Sequence, residues 1–354
     1  MTGFGGREKL LALIGTELPL IQAPMAGSQG SALAIAVSNA GGLGSLPCGL
    51  LNAESVRAEL TAIHAGTQRP YNVNFFCHRA AEPNLAREGR WRSALGRYYL
   101  EFDVDIASIP TGPGRQPFTV EMASVLEEFR PRVVSFHFGL PSPSLLTRVK
   151  AWGAKVLASA TTVEEARWLE ANGVDAVIAQ GLEAGGHRAS FLTEDITTQI
   201  STMALVPQIV RAVNVPVIAA GGIADRGGVA AAMALGASGV QIGTAYLLCN
   251  EALTSPIHRA ALKSPTAQHT ALTNVFTGRP ARGIVNRLVE EQGPMSSLAP
   301  QFPLAAAAVA PLRAKAEAAG RNDFSSLWAG QNATGCKEVG AGELTKELGR
   351  GIAD

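Results

Sequence analysis

The densest group of residues able to do chemistry lies in AQGLEAGGHRASF, positions 179–191, where a glycine-rich turn presents His187. A neutral imidazole takes up a proton near neutral pH, so a histidine on a turn at a strand end is a candidate general base. Gln180 precedes that turn, and its amide offers both a donor and an acceptor to a planar heterocycle. Gly185 and Gly186 would let backbone run close to such a ring. The alternative is an ordinary surface-loop histidine.

His137 in SFHFG and Asn74 in NVNF sit in apolar runs, where a polar side chain must be hydrogen-bonded or useful. His137 is either a satisfied core histidine or a group at the reacting centre. Asn74 is either a loop-holding amide or a donor to a cofactor ring. His78 beside Cys77 has no further ligands at metal-binding spacing, so no metal site is predicted. His64, His258 and His269 fall in expected helices or loops and are expected to be solvated.

A second kind of chemistry is suggested by PVIAAGGIADRGGVAAAMALGAS at 216–238. Gly221 and Gly222 follow an apolar run, and without Cβ atoms they let backbone N–H groups approach a phosphate. Asp225 is a candidate N-cap for the alanine-rich helix that follows. The next run ends in Gln241, Ile242, Gly243 and Thr244, the place where barrels commonly complete a phosphate site. The same glycines could merely turn the chain. No GxGxxG follows the first strand and no GxxxxGK[ST] occurs, which leaves a Rossmann site or P-loop without support.

These residues need a scaffold that brings strand ends together. Apolar runs at 19–25, 42–47, 71–77, 133–139, 155–161, 175–181, 215–222 and 238–244 alternate with helical patterns such as VEEARWLEAN. Near-continuous apolarity suits parallel strands covered on both faces. A doubly wound sheet would alternate similarly, but Met25, Asn74, His137, Gln180 and Gly222 all fall at carboxyl ends of strands, where a barrel keeps its site. The prediction is a TIM-type (β/α)8 barrel over residues 1–250, with an inserted helical segment at 78–130. A helical extension, 251–354, packs over the mouth, and its Gly-rich end from Asn332 onward is expected to fray.

Composition limits the partners. The 354 residues are 47% hydrophobic and carry a formal net charge of +1, so no global field would draw the chain to nucleic acid or anionic lipid. Cys48, Cys77, Cys249 and Cys336 form no CxxC pair, which fits a reducing cytosol. Arg7 and Lys9 before Leu10 to Ile14 are expected to begin a first helix rather than a secretory signal. No apolar stretch approaches the roughly 20 residues needed to cross a bilayer. A small-molecule partner follows, while oligomeric state is not legible.

QAPMAG at 22–27, SNAGGLGSL at 38–46, NVNFFCHR at 72–79, VSFHFG at 134–139, AQGLEAGGH at 179–187, AAGGI at 219–223, VQIGTA at 240–245 and DFSSLWAGQ at 323–331 together resemble the class I nitronate monooxygenases, formerly 2-nitropropane dioxygenases. The resemblance implies FMN as cofactor. It would be contacted by backbone at Ala23, Pro24 and Met25, by side chains of Asn74 and Gln180, and by backbone at Gly185, Gly222 and Gln241 to Thr244. It also implies His187 as catalytic base and oxidation of an alkyl nitronate or nitroalkane with O2 to a carbonyl compound and nitrite. The competing implications are an FMN-dependent NAD(P)H reductase of the quinone or enoyl-acyl-carrier-protein type, and a non-catalytic flavin-binding barrel.

One departure concerns the substrate. Where some relatives have a tyrosine and a lysine after a YP step, this chain has FPLAAAAVAPLR at 302–313. The alanine run 305–310 is therefore expected to approach the mouth and leave it apolar, unless Arg188 or Arg282 supplies charge.

Overall fold

All eight expected strands form. The computed structural model describes residues 3–109 and 114–352, and eleven strands occur among them: β1 (Leu20–Gln22), β2 (Gly44–Pro47), β3 (Tyr71–Phe76), β4 (Val133–His137), β5 (Lys155–Ala160), β6 (Ala176–Gln180), β7 (Gly186–His187), β8 (Val217–Ala220), β9 (Gly239–Ile242), β10 (Thr270–Thr273) and β11 (Ala281–Ile284). Eight of them run parallel in the order β1-β9-β8-β6-β5-β4-β3-β2. A parallel bridge between Ile21 and Leu43 joins the two ends, giving the predicted TIM-type barrel.

Strand periodicity sorts side chains to the two faces of this wall. Val73 and Phe75, Val134 and Phe136, Val156 and Ala158, and Val177 and Ala179 belong to the large core under the surrounding helices. Their neighbours Val133, Leu157, Ala176, Ile178 and Ile218 form a separate core inside the barrel, closed below by Leu10 and Ile14 of the first helix, Gly3–Ile14. One step further toward the carboxyl ends the inward positions turn polar, with Asn74, Ser135, His137, Ser159, Gln180 and Gln241. The apolar lower layers fix the barrel, and the polar layer is left for chemistry.

The crossover helices include Ser31–Asn39, Val163–Ala171 and Arg226–Ala234. The helix Val120–Phe129, expected within the insertion, instead packs between its barrel neighbours Ala53–Gly66 and Pro143–Lys150. The inserted material proper therefore ends before it. The chain's last helix, Ala341–Gly349, lies against both Ser31–Asn39 and Arg226–Ala234 and supplies the eighth helix of the ring. The expected fraying from Asn332 is thus wrong: Ala341, Leu344 and Leu348 are buried, and the Tyr246 hydroxyl lies 2.8 Å from that of Thr345. The outer faces of the last and first strands need apolar cover, and the C-terminus provides it.

The insertion and the middle of the extension share a second core of Trp91, Leu95, Tyr98 and Tyr99 with Leu288, Ala305, Ala308, Leu312 and Phe324. No helix among the described residues is long and apolar enough to cross a membrane.

Candidate active site

The polar layer is cross-linked between neighbouring strands. Asn74 donates from Nδ2 to the Ser135 hydroxyl at 2.9 Å, and Ser159 Oγ lies 3.3 Å from Nδ1 of His137. His137 Nε2 stands 3.2 Å from the carbonyl oxygen of His187, which also accepts from Gln180 Nε2 at 3.0 Å. The Gln180 Oε1 accepts from the amide of Ala189 at 2.9 Å. Both ends of that amide thus pin the 187–189 segment, leaving one N–H and one lone pair for a ligand.

His187 itself is carried on β7, which pairs antiparallel with β11, His187 opposite Ala281. The extension therefore determines where this side chain stands. Nε2 lies 2.9 Å from the Thr277 hydroxyl, and Nδ1 has no partner among the described residues. Phe302 and Trp328 pack against the ring at centroid distances of 5.3 and 5.4 Å. Burial among these rings, then the charge of Arg115, holds the His187 imidazole well below the usual histidine range. Burial likewise takes His137 down to about 3. Both rings are neutral near pH 7, and a neutral ring can accept a proton.

Arg188 and Arg282 do not supply charge to the mouth. Arg188 is 0% exposed and spends its guanidinium on the carbonyls of Gly181 and Gln180, both at 2.6 Å, and on Gln199 Oε1 at 2.8 Å. Burial lowers it to about 9. Arg282 donates to the Leu182 carbonyl at 2.9 Å and to Thr270. Both arginines hold the loop after β6.

At the other end of the site Gly221 and Gly222 have φ of 121° and 74°, a region in which side-chain-bearing residues are strained. Asp225 does cap the following helix, accepting from the Gly228 amide at 2.8 Å. Among the described residues the amides of Gly222, Gly243 and Thr244 donate to no protein acceptor, and Gln241 Oε1 is buried without a partner. Ala23 and Met25 adjoin them: a Cβ on Gly243 would lie 3.3 Å from Ala23 Cβ and 3.7 Å from Met25 Sδ. Unpaired amides around a turn fit a phosphate, and the orphaned carboxamide oxygen fits a further donor on the same ligand.

The C-terminal segment closes over this end. Gly330 N–H donates to Thr244 Oγ1 at 2.9 Å, and Asn332 Nδ2 to the Gly222 carbonyl at 3.2 Å. Gly185 is glycine for the same reason: a Cβ there would stand 2.6 Å from Gly330 N. Gly186, with φ of 72°, faces open space.

The structure thus gathers the residues expected around the site into one end of the barrel. It departs from expectation in two details. The alanine run forms the start of the helix Ala305–Ala318, and its buried Ala305 and Ala308 pack into the second core. Phe302, just before it, is what reaches His187. His258 is not solvated but 6% exposed, on the helix Pro256–Lys263, whose Ala261 and Leu262 pack with Leu247, Leu248, Ile284 and Leu327. Ser135 and Ser159 were not singled out from the sequence, although period-two alternation puts Ser135 on the same strand face as His137 and the neighbouring strand brings Ser159 to it. Thr277, Arg279 and Arg115 carried no sequence signal, because they lie in irregular segments whose path only the folded chain reveals.

The family model of nitronate monooxygenase matches residues 7–351. A nitronate monooxygenase of Pseudomonas aeruginosa is 43% identical over 346 residues, covering 96% of this chain and 98% of that one. One of Paraburkholderia phytofirmans is 41% identical over 355 residues, covering 99% and 96%. Among solved structures, a nitroalkane oxidase from Streptomyces ansochromogenes superposes with a TM-score of 0.88 at 38% identity over 98% of each chain. FabK from Thermotoga maritima gives 0.73 at 27% identity, covering 98% of this chain and 96% of that one. With a family model spanning nearly its whole length and relatives above 40% identity, the chain belongs to the nitronate monooxygenase family of oxidoreductases.

Proposed function

We propose that the chain is an FMN-dependent nitronate monooxygenase that turns an alkyl nitronate and O2 into a carbonyl compound and nitrite. The observation that carries this reading is the neutral His187 ring, fixed at its Nε2 edge by Thr277 and free at Nδ1. With Nε2–H donated to Thr277, the Nδ1 lone pair can take the α-proton of a neutral nitroalkane. A preformed nitronate lacks that proton and needs only orientation and charge balance.

FMN, when bound, supplies the electron acceptor between substrate and O2. The turns at Gly221–Gly222 and Gly243–Thr244 would hold its phosphate. Asn74, Gln180 and backbone at Ala23, Pro24, Met25, Gly185 and Gly186 would meet its ring. The barrel, formed by 1–250 and closed by the helix Ala341–Gly349, would carry the cofactor, and the rest of the extension from 251 would cover it and set His187.

Extraction of the purified protein followed by chromatography should release FMN, and primary and secondary nitronates should drive oxygen uptake with nitrite release. Stoichiometric FAD, or no flavin after reconstitution, would remove the cofactor assignment. Steady NADH consumption with an enoyl thioester and no nitronate turnover would replace the reading with the reductase alternative.

A further inference from the structure

The seam that closes the barrel is not held by backbone alone. Between β1 and β2 the ladder ends with the Gln22 amide on the Leu43 carbonyl at 2.9 Å. Beyond it two buried glutamines take over. Ser45 N–H donates to Gln22 Oε1 at 3.1 Å, and the Ser45 carbonyl accepts from Gln29 Nε2. The two side chains also join each other, Gln22 Nε2 to Gln29 Oε1 at 2.6 Å and Gln29 Nε2 to Gln22 Oε1 at 3.2 Å. Gln29 Oε1 further accepts from the Met25 N–H at 3.2 Å, and Gln22 Nε2 donates to the Ala23 carbonyl. Each glutamine amide thus faces one backbone N–H and one backbone carbonyl, which fixes which of its ends is oxygen and which is nitrogen.

The segment Ala23–Met25, which adjoins the glycine turn at Gly243, has little backbone left to offer a ligand. Ala23 N–H donates to the Ile242 carbonyl at 2.8 Å, Pro24 has no N–H, and Met25 N–H is spent on Gln29. The Ala23 carbonyl takes Gln22, and the Met25 carbonyl accepts from the Ser28 amide at 3.0 Å. Among the described residues the Pro24 carbonyl is the one backbone polar group of this segment without a partner. An N–H donor beside a flavin ring favours electron gain, because it stabilises the negative charge that arrives, and a carbonyl oxygen does the reverse.

We propose that Gln29 is a positioning residue that withholds the Met25 N–H from the cofactor ring, so that this segment meets the ring with a carbonyl oxygen and no donor. The ring then takes up electrons less readily and passes them on to O2 more readily. This rests on the FMN reading above and adds to it a residue that touches neither cofactor nor substrate.

The test compares the flavin midpoint potential of FMN-loaded wild type, Gln29→Met and Asn72→Leu by dye-equilibrated reduction. Methionine matches glutamine in length but offers the Met25 N–H only a weak acceptor, so the amide is released toward the ring. The equilibrium of Gln29→Met should move roughly tenfold toward the reduced form, the worth of one hydrogen bond, or about 30 mV upward for a two-electron couple, with slower reoxidation in air. Asn72 is 0% exposed and donates from β3 to Ser45 Oγ at 3.0 Å, with no hydrogen bond to Ala23–Met25 among the described residues. Asn72→Leu should therefore lose stability and keep the wild-type potential. An unchanged potential in Gln29→Met, or an equal shift in Asn72→Leu, overturns the proposal. If Gln29→Met does not fold, amide exchange in wild type carrying isotopically labelled methionine decides: the Met25 amide should exchange with deuterium equally slowly with flavin bound and removed. Exchange that turns fast on flavin removal at Met25, while Met233 stays slow, overturns the proposal. A chain that holds no flavin after reconstitution overturns the cofactor assignment and this inference together, whereas bound flavin with an unmoved potential in Gln29→Met overturns this inference alone.

Discussion

The Nε2 atom of His137 lies 3.2 Å from the carbonyl oxygen of His187, so the strand histidine grips the backbone of the loop histidine and not its ring. The ring is held separately, by Thr277 at 2.9 Å. The two histidines can therefore be told apart by experiment.

Replacing His187 with Asn should leave FMN bound yet slow flavin reduction by neutral nitroalkanes roughly 100- to 10,000-fold, the usual cost of losing a general base. Nitronates, already deprotonated, should suffer less. Stopped-flow anaerobic reduction with both substrate forms measures the difference, and equal losses would make His187 a shaping or charge-binding group instead. Because burial holds its imidazole well below the usual range, the wild-type nitroalkane rate should stay flat as pH falls through 6.5 and drop only at lower pH, when the ring gains its proton.

Replacing His137 with Leu removes one of two donors to the His187 carbonyl and should slow nitroalkane and nitronate alike, since the whole loop shifts. A loss confined to nitroalkane would instead give His137 a share in proton transfer.

Gly185→Ala forces a methyl group to within 2.6 Å of Gly330 N and 2.7 Å of the Ala329 carbonyl carbon. Overpacking against backbone costs roughly 1–3 kcal/mol. It should lower the thermal midpoint and speed FMN release by lifting the C-terminal segment from Thr244. Gly186→Ala meets open space and carries only left-handed strain of about 1–2 kcal/mol. A Gly186→Ala protein that loses FMN faster than Gly185→Ala would argue against this closure.

His258 is buried, and its desolvation lowers it to about 4, against an ordinary value of 6.5. Between those values the unfolded chain binds the proton and the folded chain does not, so stability falls as pH drops from 6.5 toward 4. The full effect is up to about 3 kcal/mol. Thermal midpoints of wild type and His258→Leu should converge or cross as pH falls through this window. Parallel curves would mean that His258 is hydrated in solution.

The strand wall and its polar rim follow from local sequence. Runs such as VVSFH and AVIAQ alternate outward and inward with period two, and the last inward residues, His137 and Gln180, are polar. That pattern is enough to place a site at the carboxyl ends of the barrel, and the glycine pairs mark where backbone must stay bare. What no local pattern contained was long-range closure. His187 takes its position from pairing with Ala281, Gly185 owes its missing side chain to Gly330, and the eighth ring helix comes from the chain's end, Ala341–Gly349. Arg279, over the Phe138 ring, and the Arg115 carbonyl, which His78 meets beside Phe302, reach one aromatic cluster from segments 164 residues apart in number (279 minus 115). Hydrophobic periodicity reports which face of an element is buried, but not which distant segment buries it. Only the folded chain decides that, and with it the charge and shape of the mouth.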